Sequence, residues 1–290
     1  MQQTLNRSVT CQGVGVHSGK TATMTLRPAP VDSGIVFVRN DVQGVNPVIP
    51  ALWNKVIDTK LCTVIANEDG VKVSTIEHVM SALLGLGVDN AIIEIDNEEV
   101  PIMDGSAKEF VERIQQAGIQ QQNKARRKIV IKKTVTFEED GKIATLSPAK
   151  VPTYSFEIDF SEKNTLIGKQ SFSMQMINGN YNHDIAAART FGLLEEVEYL
   201  KSIGLARGGS LDNAIVVNKD KIMNPDGLRF DNEFVRHKIL DAIGDLYLAG
   251  APIIGHFDGI KAGHAINNQI LHTLFADPDA WAFEDETKTA

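Results

Sequence analysis

Short runs such as TATMTLRP and GIVFVRN, punctuated by Gly, Pro and Asn, alternate apolar and polar positions through the first hundred residues. That period of two predicts strands with one buried face. The pattern then turns helical: Ile76, Val79, Met80, Leu83 and Leu84 fall on one helix face before a stop at Gly85 to Gly87. Ser74-Thr75-Ile76-Glu77 offers a capping box that starts this helix. Ala91 to Asp96 predicts a strand, Pro101 to Gly105 a turn, and Ser106 the N-cap of a helix through Phe110 and Ile114.

After Ile119 the polar stretch QQQNKARRK reads as a linker over residues 121–128, and the β-rich pattern restarts at Ile129-Val130-Ile131 and Thr134 to Phe137. Asn232 to Leu248 is helical by pattern, Pro252 to Gly255 a short strand, and Ala265 to Phe275 helical again. The second half therefore repeats the order of the first, and each half carries a histidine in its first helix, His78 and His237. The expected fold class is α+β: two similar two-layer sandwiches of sheet plus helices, residues 1–120 and 129–280, with a site where the copies face each other. Residues 193–223 break the symmetry with a helical pattern (Glu195 to Ile203), a GLARGGS turn and a strand (Ala214 to Val217), a βαβ-like insert. Residues 281–290 read as a tail, frayed from Phe283. The glycine-rich Gly13 to Gly19 lacks P-loop spacing and reads as a hairpin.

At 290 residues, with 43% hydrophobic and 23% charged side chains, the chain has the composition of a globular protein with room for two modest domains. The net charge of -8 argues against general affinity for nucleic acid or an anionic membrane. No secretory h-region opens the sequence and no stretch approaches the roughly 20 apolar residues of a membrane span. The expectation is a cytoplasmic monomer acting on a small molecule. Cys11 and Cys62 lack the spacing of a disulfide framework or thiolate zinc site, and Cys62 is equally well core filler.

Candidate chemistry begins on the helix holding RHKILD. His237 and Asp241 are four apart and emerge on one face, with Asp245 a further four along. Taken alone, such a pair is more often a solvated polar stripe. Glu77-His78 on the matching helix changes the balance, because catalytic zinc takes three protein ligands and keeps one position for water. His78, His237 and Asp241 fill that requirement, with Glu77 as general base unless the capping box claims its carboxylate. His264, after Gly263 at a helix start, is the candidate acid for a departing amine, and it needs a carboxylate such as Asp245 to keep it protonated against the helix dipole. Lys238 and Lys261 would form a local anion clamp in an acidic protein if the fold brings them together. His17, His183, His256 and His272 give no spacing signal.

The blocks STIEHVMSALLGLGVDNAIIEIDNEEVPIMDGSA, AARTFG, GGSLDNAIVV, NPDGLRFDNEFVRHKILDAIGDLYLAG and KAGHAINN, in order along nearly the whole chain, resemble the signatures of the UDP-3-O-acyl-N-acetylglucosamine deacetylases. The resemblance implies removal of an acetyl group from an acylated UDP-glucosamine, the committed step toward lipid A in Gram-negative bacteria, by a zinc enzyme. It implies zinc on His78, His237 and Asp241, Glu77 as base, and His264 as acid with Asp245 orienting or polarising it. Thr190 would donate to the oxyanion beside Lys238. It further implies that the insert forms an acyl passage with Leu200, Ile203 and Ala206 as lining, although packing of a short amphipathic helix explains them equally. Phe160 would stack on uracil, Lys142 and Lys261 would contact the nucleotide or its phosphates, and Phe191, Leu61 and Cys62 would lie near the substrate. The family's two α+β sandwiches match the duplication read above.

Two rivals remain at this level. One is a zinc amidohydrolase acting on another acylated amine; the other is a binding protein with structural zinc, which would need four protein ligands where three are identifiable. A two-His, one-carboxylate set also suits Fe(II), so iron is a second possible occupant.

Overall fold

The computed structural model describes residues 1–285. Two five-stranded sheets dominate. The first runs Val9–Val14, Thr21–Pro28, Ala91–Ile95, Ile35–Arg39, Val48–Pro50 across the sheet, and the second runs Val135–Glu139, Lys142–Ser147, His256–Ile260, Thr153–Asp159, Lys169–Gln175. In each, the third and fourth strands are parallel and every other neighbouring pair is antiparallel. The mixed α+β class and its duplication are thus present in the strand order itself. Alternation does the sorting: Ala22, Met24 and Leu26 on a strand of the first sheet and Tyr154, Phe156 and Ile158 on a strand of the second are buried, with their neighbours more open.

Among the described residues six α-helices accompany the sheets: α1 (Glu77–Gly85), α2 (Lys108–Ala117), α3 (Tyr181–Asp184), α4 (Leu194–Ser202), α5 (Glu233–Tyr247) and α6 (His264–Ala276). The second sheet packs on α5 and α6, the first strand of the first sheet packs on α2, and α1 lies beside α2. The broadest helix contact is α1 against α5, and one contiguous apolar cluster runs through both halves. Gly244 makes that contact possible: a Cβ there would stand 2.0 Å from the carbonyl oxygen of Glu77. Farther along, Tyr247 Oη donates to the Val88 carbonyl at 2.6 Å and Trp53 N–H to the Leu248 carbonyl at 2.8 Å, tying α5 to the first half.

The insert is a βαβ unit as expected, with Phe191–Leu193 parallel to Ile215–Asn218 and α4 between them. The hairpin reading of Gly13 to Gly19 also holds, since Val14 pairs with Thr21 across that turn.

Three readings need correction. The capping box does not form: Thr75 sits at φ 58°, its Oγ donates to Glu99, Ser74 Oγ donates to the Glu98 carbonyl, and Glu77 opens α1 rather than occupying its third position. Tertiary partners outcompete the local cap, and Glu77 is released for other work. The linker is shorter than residues 121–128, because Ile119–Gln121 pairs with Gln3–Leu5 and Arg127–Ile131 is a strand, leaving 122–126 between them. The tail does not fray from Phe283: Trp281–Asp285 pairs antiparallel with Arg127–Ile131, with Phe283 under the Arg127 guanidinium, while 286–290 lie outside the described residues. Ser106 stands one residue before the cap position, yet its Oγ accepts the Lys108 N–H at 3.1 Å. No helix among the described residues is long and apolar enough to cross a membrane.

Candidate active site

The α1–α5 contact sets the centre of the site. His78 comes from the first turn of α1, and His237 and Asp241 from successive turns of α5, all three buried. His78 Nε2 lies 3.5 Å and His237 Nε2 3.3 Å from Asp241 Oδ1, and one ligand atom from each residue falls within 4.8 Å of the others. His237 Nδ1–H donates to the Ala188 carbonyl at 3.0 Å, which leaves Nε2 as the lone-pair nitrogen of the neutral ring. Burial lowers the His237 pKa to about 3, against the pull of Asp241. Asp241 Oδ1 has no hydrogen-bond donor, while Oδ2 accepts from Lys238 Nζ at 2.6 Å. Burial would raise the Asp241 carboxyl, but His237 and Lys238 carry it well below its ordinary range. Two imidazole Nε2 atoms beside a carboxylate oxygen that no donor satisfies form a donor set suited to a divalent cation.

Beside these three side chains lies a second constellation. Glu77 Oε1 is 3.9 Å from His264 Nε2, and His264 Nδ1–H donates to Asp245 Oδ2 at 2.8 Å. Burial raises the Glu77 pKa, with His264 and His78 opposing. For His264 burial would favour the neutral ring, yet Asp245 and Glu77 prevail and raise it to about 9. Asp245 is itself locked, by Asn267 Nδ2 at 2.9 Å on Oδ2 and Thr63 Oγ at 2.6 Å on Oδ1, and Thr63 N–H also reaches Glu77 Oε2 at 3.0 Å.

Two cavities meet here. One of about 660 Å³ takes in Glu77, His78, His237, Lys238, Asp241 and His264, and reaches Lys142, Phe160 and Lys261. The other, about 430 Å³, runs under the insert past Leu200, Ala206 and Met223. Leu61, Thr190 and Phe191 line both. Phe191 sits edge-on between Phe160 and Phe234, at centroid distances of 5.7 and 4.9 Å. Lys238 and Lys261 do border one cleft, although Lys261 Nζ also pairs with Asp159 at 3.2 Å.

Two sequence-picked residues fall elsewhere. Ile203 caps the C-terminus of α4 at 50% exposure and lines neither cavity. Cys62 also lines neither cavity; its buried thiol sits near Thr75 and Glu77, and burial pushes it up to about 12. Its packing role is the one the geometry supports. Conversely, His17, set aside for want of spacing, lines the smaller cavity with Glu77 and His78, its buried Nδ1 without a partner. Asn267 was within reach of the sequence, standing three positions past His264 on the same helix face. His256, by contrast, bonds Ser155 Oγ at 2.8 Å and His272 packs on Trp53.

Comparison with known proteins gives a consistent picture. The family model described as LpxC: UDP-3-O-acyl N-acetylglycosamine deacetylase matches residues 2–276. Proteins named UDP-3-O-acyl-N-acetylglucosamine deacetylase from Shewanella halifaxensis, Shewanella pealeana and Shewanella oneidensis are each 46% identical to this chain over 288 residues, covering 98% of it and 94% of their own length.

Proposed function

Because the chain belongs to the UDP-3-O-acyl-N-acetylglucosamine deacetylase family, whose members are amide hydrolases, we propose that it hydrolyses the N-acetyl amide of UDP-3-O-acyl-N-acetylglucosamine in lipid A synthesis, with zinc on His78, His237 and Asp241. The observation that carries this reading is the meeting, in one buried cleft, of the His-His-Asp donor set with a carboxylate and an imidazole 3.9 Å apart whose pKa values are both raised.

Zinc at this triad supplies a Lewis acid that polarises the amide and acidifies water. Glu77 takes the proton of the attacking water; its raised pKa makes it a stronger base than a free glutamate, and the Thr63 N–H fixes one of its oxygens. His264 enters protonated and delivers its Nε2 proton to the amine as the C–N bond breaks, and Asp245 holds the ring by Nδ1. Thr190 and Lys238 border the cleft as donors to the developing oxyanion. Lys238 also occupies Asp241 Oδ2, which leaves Oδ1 for the metal.

The substrate divides between the cavities. The smaller accepts the acyl chain against Leu200, Ala206 and Leu61; the larger takes the nucleotide, with Phe160 available to stack on uracil and Lys142 and Lys261 to meet phosphates. The deciding experiment measures acetate release from UDP-3-O-acyl-N-acetylglucosamine by the purified protein, as isolated, after chelation, and after adding back one equivalent of zinc. Activity lost to chelator and restored by zinc is expected. A folded, zinc-loaded protein that releases no acetate would overturn the assignment in favour of another acylated amine, and turnover with Fe(II) alone would replace the metal.

A further inference from the structure

Glu99 takes no part in the reaction above, yet the residue is only 3% exposed and forms no ion pair with a cationic side chain among the described residues. Its partners are hydrogen-bond donors: Oε1 accepts the His17 N–H at 2.8 Å and Thr75 Oγ–H at 3.2 Å, and Oε2 accepts the Ser18 N–H at 2.8 Å. A buried carboxylate is costly unless donors replace its water, so these three contacts hold it and the turn together. A Cβ at Gly15 would stand 2.2 Å from Oε2, so the absence of a side chain there is what admits the carboxylate.

The turn held in this way holds the insert in its turn. The Val16 carbonyl accepts the Gly208 N–H at 3.0 Å and the His17 carbonyl the Arg207 N–H at 3.2 Å. A Cβ at Gly208 would lie 2.3 Å from the Gly15 carbonyl oxygen, so the two backbones touch. Val16 and His17 on one side of this seam, and Ala206 and Gly209 on the other, are walls of the 430 Å³ cavity.

The geometry points to Glu99 as a positioning residue that clamps the turn of residues 15–19 onto the insert and thereby fixes the width of the apolar cavity. Its effect falls on how tightly a long acyl chain is held, and Glu99 itself contacts none of His78, His237 and Asp241. This rests on the reading of that cavity as the acyl site. With glutamine in its place, one of the His17 and Ser18 N–H groups faces an amide NH2 instead of an acceptor, and the wall they carry separates from the insert; a short acyl group, ending before the seam, does not register the change.

The test compares two substrates, UDP-N-acetylglucosamine bearing a long 3-O-acyl chain and the same compound bearing a two-carbon acyl group, on wild type, Glu99→Gln and Gly208→Ala, the last forcing the seam apart from its other side. The expected result is a rise of about tenfold in KM for the long-chain substrate in both variants, with kcat, zinc content and short-chain kcat/KM close to wild type. If Glu99→Gln does not fold, Gly208→Ala decides. Variants that keep the wild-type preference between the two chains, or that lose kcat equally on both, overturn the role of Glu99. A wild type that does not distinguish the chains at all removes the acyl reading of the cavity, and this inference with it.

Discussion

In the reaction proposed above Glu77 and His264, 3.9 Å apart, work in opposite protonation states, and this sets the expected pH profile. The carboxyl must be ionised, so kcat/KM falls as pH drops through its raised pKa; the imidazole must be protonated, so activity is lost again as pH rises through a value near 9. Asp245 is the chief reason the His264 value stands so high despite burial. Asp245→Asn is therefore expected to move the alkaline limb down by about 1 to 3 units, read from a kcat/KM profile; an unmoved limb assigns it to another group. Glu77→Gln is expected to lower kcat by about 10²- to 10⁴-fold with metal content unchanged, since the side chain is not a ligand. At this scale the sequence disclosed what helical spacing can encode. His237 and Asp241 are one turn apart on α5, and Asp245 one turn further. Thr63 and His17 could not be read that way, because Thr63 meets Asp245 across 182 positions and His17 arrives on a hairpin held by Glu99, 82 positions on, and by Arg207 and Gly208 in the other half.

Among the elements, the helices were the most legible, because α5 and α6 bury regular stripes and their expected bounds are met within a residue or two. The start of α1 was not, because the hydroxyls of Ser74 and Thr75 answer to the loop around Glu98 and Glu99, a long-range contact that no local cap motif announces. Ile203 shows the same limit: the amphipathic pattern of α4 placed it correctly at a helix end but could not say that this end faces solvent. The α1–α5 crossing carries its own prediction. Gly244→Ala places a methyl group against the Glu77 carbonyl, and overpacking of this kind costs about 1–3 kcal/mol, visible as a lower denaturation midpoint. Since Glu77 rides on the displaced backbone, kcat is expected to fall further than KM rises; a variant with wild-type kcat would mean that the crossing tolerates movement without disturbing the base.

On the scale of the whole molecule, the repeated sheet order was legible as a repeated order of elements, whereas the short strands that join the halves were hidden in a stretch whose polarity reads as linker. The division of labour is unequal. The first half brings Glu77 and His78; the second brings His237, Asp241, Asp245 and His264. Residues 1–126 and 127–290 produced as separate chains are expected to show no acetate release individually, and equilibrium dialysis is expected to find neither holding zinc as the intact chain does. Both ends of the described chain, moreover, come back to the same connecting segment: Gln2 N–H donates to the Lys124 carbonyl at 2.8 Å, and Trp281–Asp285 lies along Arg127–Ile131. Residues 2 and 285 thus both lie beside the junction of the halves. A circular permutant opened within 122–126, with residue 285 joined to residue 2 by a short peptide, would place the second half first in the gene while preserving the sheets of the described residues, and retained turnover would show that the order of the halves along the chain is free to change while their packing is not.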